Sequence, residues 1–128
     1  MSSREREKAI ARRAARKAAP PQASLMGVKI SPRKIRQVSV EIEGLSVAAA
    51  LSALAFSAKG AARPLRKLIS SAIANAEQRK MDLDALTIAR VQVDGGPTMR
   101  RFMPRAMGRA TRIRKRSSHV TVFLGTNA

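Results

Sequence analysis

The sequence has no cysteine, tryptophan or tyrosine, a single histidine and three phenylalanines. Each absence removes a class of function. Without cysteine there is no disulfide, no thiolate nucleophile and no Cys-type zinc site. His119 alone cannot build a histidine metal cluster. Three scattered phenylalanines do not make the stacking platform of an RRM-type RNA binder. No apolar run approaches the roughly 18 residues of a membrane helix, and the N-terminal segment lacks the apolar core of a signal peptide. Acidic residues are scarce as well: 8 stand against 26 basic ones, a formal net charge of +18 over 128 residues.

That length is about one domain. Its charge repels itself and attracts a polyanion, nucleic acid first and an acidic membrane second. The charge is unevenly placed. Residues 1–24 carry seven basic and two acidic side chains, residues 25–94 eleven and six, and residues 95–128 eight and none. The middle is a nearly ordinary globular domain between two polycationic ends. The N-terminus is Arg- and Ala-rich, as transit peptides can be, but Glu5 and Glu7 break that pattern, so a cytoplasmic rather than an organellar protein is expected.

Residues 4–18, "REREKAIARRAARKA", favour helix by propensity. Ile10 is their one large apolar residue, so no core-facing stripe exists. The expectation for residues 1–24 is a basic tail, disordered unless a polyanion orders it. "LMGVKI" (25–30) predicts a short strand with Met26, Val28 and Ile30 on one face. Ser31 and Pro32 are a helix start. Ile35, Val38, Ile42 and Leu45 then form an apolar stripe, and Gly44 is the stop. Ser46 caps a second helix whose stripe is Val47, Ala50, Leu51 and Leu54. A third begins between Lys59 and Pro64, since proline fits only a first turn. It runs through Leu65, Leu68, Ile69, Ala72, Ile73 and Ala76. "ALTIARVQVD" (85–94) alternates at Ala89, Val91 and Val93, and "SHVTVFL" (118–124) at Val120, Val122 and Leu124; both predict strands.

Between these strands lies "RRFMPRAMGRATRIRKR" (100–116), with eight cations, seven of them arginine, and no acid. If the flanking strands pair, the charged stretch is a hairpin turning near Pro104 to Gly108. Arms of about ten residues would reach on the order of 30 Å. A two-stranded ribbon of that length is marginal in water and needs outside support. Arginine forks suit phosphate. The methionines at 99, 103 and 107 recur every fourth residue, but Pro104 and Gly108 argue against a helical stripe there.

Catalytic readings fare poorly. Glu41 and Glu43 point to different sides of a helix, Asp82 and Asp84 fall in a loop, and solvated charge is the expectation for them and for Asp94. No Ser-His-Asp arrangement is apparent. "DGGPT" lacks the lysine and spacing of a P-loop. His119 is read as structural or RNA-contacting. DNA readers present a helix or a short ribbon to the major groove, whereas a long arm suits folded RNA. A free DNA-binding nucleoid or architectural protein is the alternative.

"SPRKIRQV" (31–38), "LISSAIANAEQ" (68–78) and "RFMPRAMGRATRIRKRSSHVTV" (101–122) closely resemble the large-subunit ribosomal protein L-twenty-two family, of bacterial type. The resemblance covers about residues 25–124. Together with the residue reading it implies an α+β fold, with three helices packed on a small three-stranded antiparallel sheet and a long protruding hairpin over 97–117. It implies a non-catalytic structural constituent of the large subunit that binds its RNA, aids assembly and lines the nascent-peptide exit tunnel, with no cofactor and no metal. The RNA-binding residues carried over are Arg33, Lys34, Arg36, Arg100, Arg101, Arg105, Arg109, Arg112, Arg114, Lys115 and Arg116. The tunnel-lining tip is Met103, Pro104, Arg105, Ala106, Met107, Gly108, Arg109 and Ala110. The implied partners are large-subunit ribosomal RNA, neighbouring ribosomal proteins, the nascent polypeptide and macrolide antibiotics near the tip. Phe102 and Met107 occupy positions where the resemblance implies varied residues, Met107 often a basic one; a methionine there would leave this tip one cation fewer.

Overall fold

Three strands of alternating small apolar residues make the sheet on which the body packs. A computed structural model of the chain describes residues 2–126. In chain order the elements are α1 (Ser3–Ala18), β1 (Gln22–Val28), α2 (Pro32–Ile42), α3 (Val47–Phe56), α4 (Ala62–Gln78), β2 (Leu86–Gly95), β3 (Met99–Pro104), β4 (Ala110–Lys115) and β5 (Ser118–Thr126). The sheet is antiparallel in the order β1-β5-β2, and β3 and β4 form a separate two-stranded ribbon. The class is α+β as expected, with one helix more: α2, α3 and α4 serve the core, and α1 buries no residue.

The inward residues of the sheet, among them Ile88, Val93, Val120, Val122 and Leu124, meet Ile35, Val38, Leu65, Ile69 and Ala72 from the helices. Helix α2 lies against β2, and α4 lies against β1, β5 and α3. The opposite sheet face carries Ser24, Gln92, His119 and Thr121, with the Ser24 and Thr121 hydroxyls 3.0 Å apart. Ser118 is fully buried, and its hydroxyl donates to the Ile30 carbonyl. The helix starts follow their signals. The Ser46 hydroxyl accepts from the Ala49 N–H, Pro32 sits in the first turn of α2, and Pro64 in that of α4.

Two bulges revise the expected alternation. β1 starts at Gln22 rather than Leu25, and its register with β5 slips by one residue between Leu25 and Val28. Gly27 sits at φ 68 there and donates its N–H to His119 Nδ1 at 3.0 Å. The slip turns Met26 to solvent, 67% exposed, where alternation had placed it with Val28 and Ile30. In β2 the slip falls between Ile88 and Arg90, so Ala89 leaves the alternation and is exposed. A single extra residue inverts every side chain after it, which is why period-2 reading fails there.

The free edge of β2 is sealed by α2 and the turn after it. Arg36 Nη2 donates to the Val93 carbonyl at 3.0 Å, and Glu43 Oε1 accepts from the Val91 N–H at 3.0 Å. The Gly44 N–H donates to Ile88 O at 2.8 Å, and the Ile88 N–H to Leu45 O at 2.9 Å. An edge strand left bare would invite pairing with another chain. Leu45 therefore lies beyond the helix and half-exposed, not on its apolar stripe, and Glu43, though exposed, also caps the strand.

Removing that cap leaves the Val91 N–H without its carboxylate, so Glu43→Ala is expected to lower the stability of the free chain by about 1–3 kcal/mol. Glu43→Gln, which keeps an acceptor, should lose less. Gly27→Ala meets no atom within 4 Å, so its cost is the left-handed backbone alone, about 1–2 kcal/mol. Urea unfolding followed by far-UV circular dichroism reads all three.

Candidate nucleic-acid interface

β3 and β4 pair from Met99↔Lys115 to Pro104↔Ala110. Six-residue strands reach only about 20 Å at roughly 3.3 Å per residue, shorter than the ten-residue arms expected, because Gly96 to Thr98 and Arg116 to Ser117 lie outside the ladder. Residues directly opposite one another share a face. One face therefore holds Arg100 opposite Arg114 and Phe102 opposite Arg112. The other holds Met99 opposite Lys115, Arg101 opposite Ile113 and Met103 opposite Thr111. The carried-over cations thus divide between a face of three arginines with an exposed phenylalanine and a mixed face of methionine, isoleucine and two cations. Like charges directly opposite destabilise a ribbon, and among the described residues the one side-chain ion pair is Lys59 with Glu41. An anion between Arg100 and Arg114 would remove that repulsion.

At the tip the Arg105 N–H donates to the Arg109 carbonyl at 2.8 Å, closing a turn over Ala106 to Gly108. Met107 adopts φ 60, ψ 36 and Gly108 φ 65. Left-handed backbone is easy for glycine and strained for methionine. Met107 is 94% exposed at the hairpin tip. Met103, Pro104, Arg105, Ala106, Arg109 and Ala110 are exposed with it.

At the root, the hairpin and the body form a groove. Lys34, in the first turn of α2, lines it together with Arg114, Lys115 and Arg116. Arg33 and Arg36 do not: Arg33 is exposed elsewhere on the helix start, and Arg36 reaches β2. Two cations that the sequence did not single out, Lys29 and Lys59, line the same groove. Lys29 stands two residues before the Ser31 cap, and that proximity to a basic helix start was the available signal. Lys59 is in a loop whose placement only the tertiary fold reveals. A second cationic element is α1, whose seven basic side chains project from an unburied helix.

Glu41, Glu43, Asp82 and Asp94, which could suggest acid–base chemistry, each have a structural partner for the carboxylate. Glu41 pairs with Lys59, Asp82 Oδ1 accepts from the Asp84 N–H at 3.1 Å, and Asp94 Oδ2 accepts from Gln92 Nε2 at 3.0 Å. His119 Nδ1 is the acceptor for Gly27. Among the described residues no group of three or more His, Cys, Asp or Glu could hold a metal ion, and no helix is long and apolar enough to cross a membrane.

Residues 23–125 match the family model described as Ribosomal protein L22p/L17e. The chain is 54% identical over 113 residues to the large ribosomal subunit protein uL22 of Anaeromyxobacter sp. (strain Fw109-5), covering 86% of this chain and 78% of that protein. It is 55% identical over 98 residues to the protein of the same name from Desulfitobacterium hafniense (strain Y51), covering 76% and 86%. To that of Myxococcus xanthus (strain DK1622) it is 50% identical over 105 residues, covering 80% and 92%. With its three core helices, its cationic hairpin and all but the two end residues of its sheet inside the matched span, the chain belongs to the ribosomal protein L22p/L17e family.

Proposed function

We propose that this chain is a non-catalytic structural component of the large ribosomal subunit in the cytoplasm. It binds large-subunit RNA through its hairpin and the start of α2, and its tip lines the exit tunnel. The observation that carries this is the hairpin itself: it is solvent-exposed along almost its whole length, it opposes Arg100 with Arg114, and it has no acidic residue. Such a ribbon is stable when phosphates lie between its arginines. The RNA-binding set is Arg33, Lys34, Arg36, Arg100, Arg101, Arg105, Arg109, Arg112, Arg114, Lys115 and Arg116. Met103 to Ala110 face the nascent peptide, and a macrolide in the tunnel would meet the chain there. The outward Met107 gives that surface an apolar point between Arg105 and Arg109.

Residues 1–24 extend the same interface. Arg4/Lys8, Lys8/Arg12, Arg12/Arg16 and Arg13/Lys17 place like charges four residues apart along α1. Each such pair weakens an isolated helix by about 0.2–0.5 kcal/mol. Against this stand a capping box, in which Ser2 and Glu5 satisfy each other's backbone N–H groups, and the Arg79 guanidinium, which donates to the Ala19 and Arg16 carbonyls at the helix C-terminus. RNA phosphates supply the missing counter-charge, so the helix is fully formed on RNA and frays without it.

Four outcomes follow from these charges. The chain should stay with large subunits through a wash at about 0.5 M salt, where a DNA architectural protein held by counterion release would leave; immunoblotting of the pelleted particles reads this. Arg114→Glu should stabilise the free hairpin by about 0.2–1 kcal/mol by replacing a cross-strand repulsion with an attraction. The same variant should weaken binding to large-subunit RNA roughly tenfold. Cross-strand NOE intensities and filter binding report the two effects, whose opposite signs separate a phosphate role from a folding role. Deleting residues 3–18 should flatten the plot of log affinity against log salt by about 0.7–0.9 for each phosphate that α1 neutralises.

A further inference from the structure

The groove at the hairpin root has a volume of about 940 Å³, toward the upper end of the roughly 300–1,000 Å³ typical of small-ligand sites. Its cations come from both sides of the seam: Lys29, Lys34 and Lys59 from the body, and Arg114, Lys115 and Arg116 from the hairpin. No carboxylate lines it, and Lys59 alone is compensated, by Glu41. Its apolar lining is Ile30, Ala61, Pro97 and Met99. Ser31 and Gln37 add polar groups at the α2 side, and the Ser31 side chain makes no capping bond to its own helix. A bare phosphate would satisfy the cations and leave the apolar lining wet. A flat apolar ring carrying a phosphate on either side satisfies both.

We propose that this groove takes one unpaired nucleotide of an RNA strand, with its base on the apolar lining at Ile30 and Met99 and its phosphates on the lysines and arginines. This rests on the RNA-binding function proposed for the chain and gives a ligand to a part of the surface otherwise understood as charge alone. The nucleotide has a mechanical consequence. Neither β3 nor β4 packs extensively on the body. At the root the two arms are joined by the Gly96 N–H to the Ser117 carbonyl, at 2.8 Å, and by the Ser117 hydroxyl to the Pro97 carbonyl. A ligand held from both sides of the seam sets the angle at which the hairpin leaves the body.

Two RNA hairpins of identical stem test this with the full chain, one carrying a single bulged adenosine and the other an abasic residue at the same place. The bulged adenosine should bind about tenfold tighter, as for burial of one ring face against apolar side chains. It alone should shift the Ile30 and Met99 methyl resonances. Met99→Ser, at an exposed position, should abolish the difference between the two RNAs, whereas Lys34→Ala should weaken both. Equal affinity for the two RNAs, or a preference that survives Met99→Ser, overturns the nucleotide site while leaving RNA binding intact. Failure of the chain to bind either RNA would overturn the RNA-binding function and the site with it.

Discussion

Arg100 faces Arg114 across the ribbon, and neither has an acidic partner. The repulsion between them is the local form of a constraint on the whole chain. With 26 basic and 8 acidic residues, most cations have no internal counter-charge to find. Where acids do occur, they serve architecture: Glu43 caps the β2 edge, Glu5 completes a capping box, and Asp94 accepts from Gln92. The body can therefore fold as an ordinary two-layer domain. The hairpin and α1 are left as exposed, strongly cationic surfaces.

The body's task follows from this. A ribbon with no core of its own can be aimed only from its base. β5 pairs on both sides, with β1 and β2, and continues directly from the returning arm of the hairpin. β2 leads into the outgoing arm, and its outer edge is sealed by Arg36, Glu43 and the Gly44–Leu45 turn. Helix α2 thus does two jobs with neighbouring side chains. Arg36 reaches back to hold the strand that launches the hairpin, and Lys34 faces the groove where the hairpin leaves. Rigidity at the root and charge along the arm are built from the same short segment.

Much of this is legible in the sequence. Helical spacing from Ile35 to Ile42 and from Leu65 to Ala76 marks buried stripes, and serine and proline mark the starts. The alternation of Val120, Val122 and Leu124 identifies the central strand. What escapes is what depends on neighbours. The bulges at Gly27 and Ala89 invert Met26 and displace Ala89, and nothing in local alternation announces them. Glu43 reads as solvent charge until its acceptor role at the bulge of a distant strand is visible. The charged stretch reads as basic arms and a tip, but cross-strand register further divides the arms into an arginine face with Phe102 and a mixed face of methionine, isoleucine, Arg101 and Lys115. Lys59 enters the groove from a loop far from it in sequence. Local pattern is enough for elements, whereas register and charge placement are tertiary facts.

Amide hydrogen exchange, compared between the free chain and the chain in assembled large subunits, tests the dependence of the hairpin on its partner most directly. Fast exchange is predicted across residues 98–117 in the free chain beside a protected sheet, with strong protection of the same ladder in the subunit. Ladder amides as protected in the free chain as those of β5 would contradict that dependence, because the opposed arginines would then be tolerated without a counter-charge.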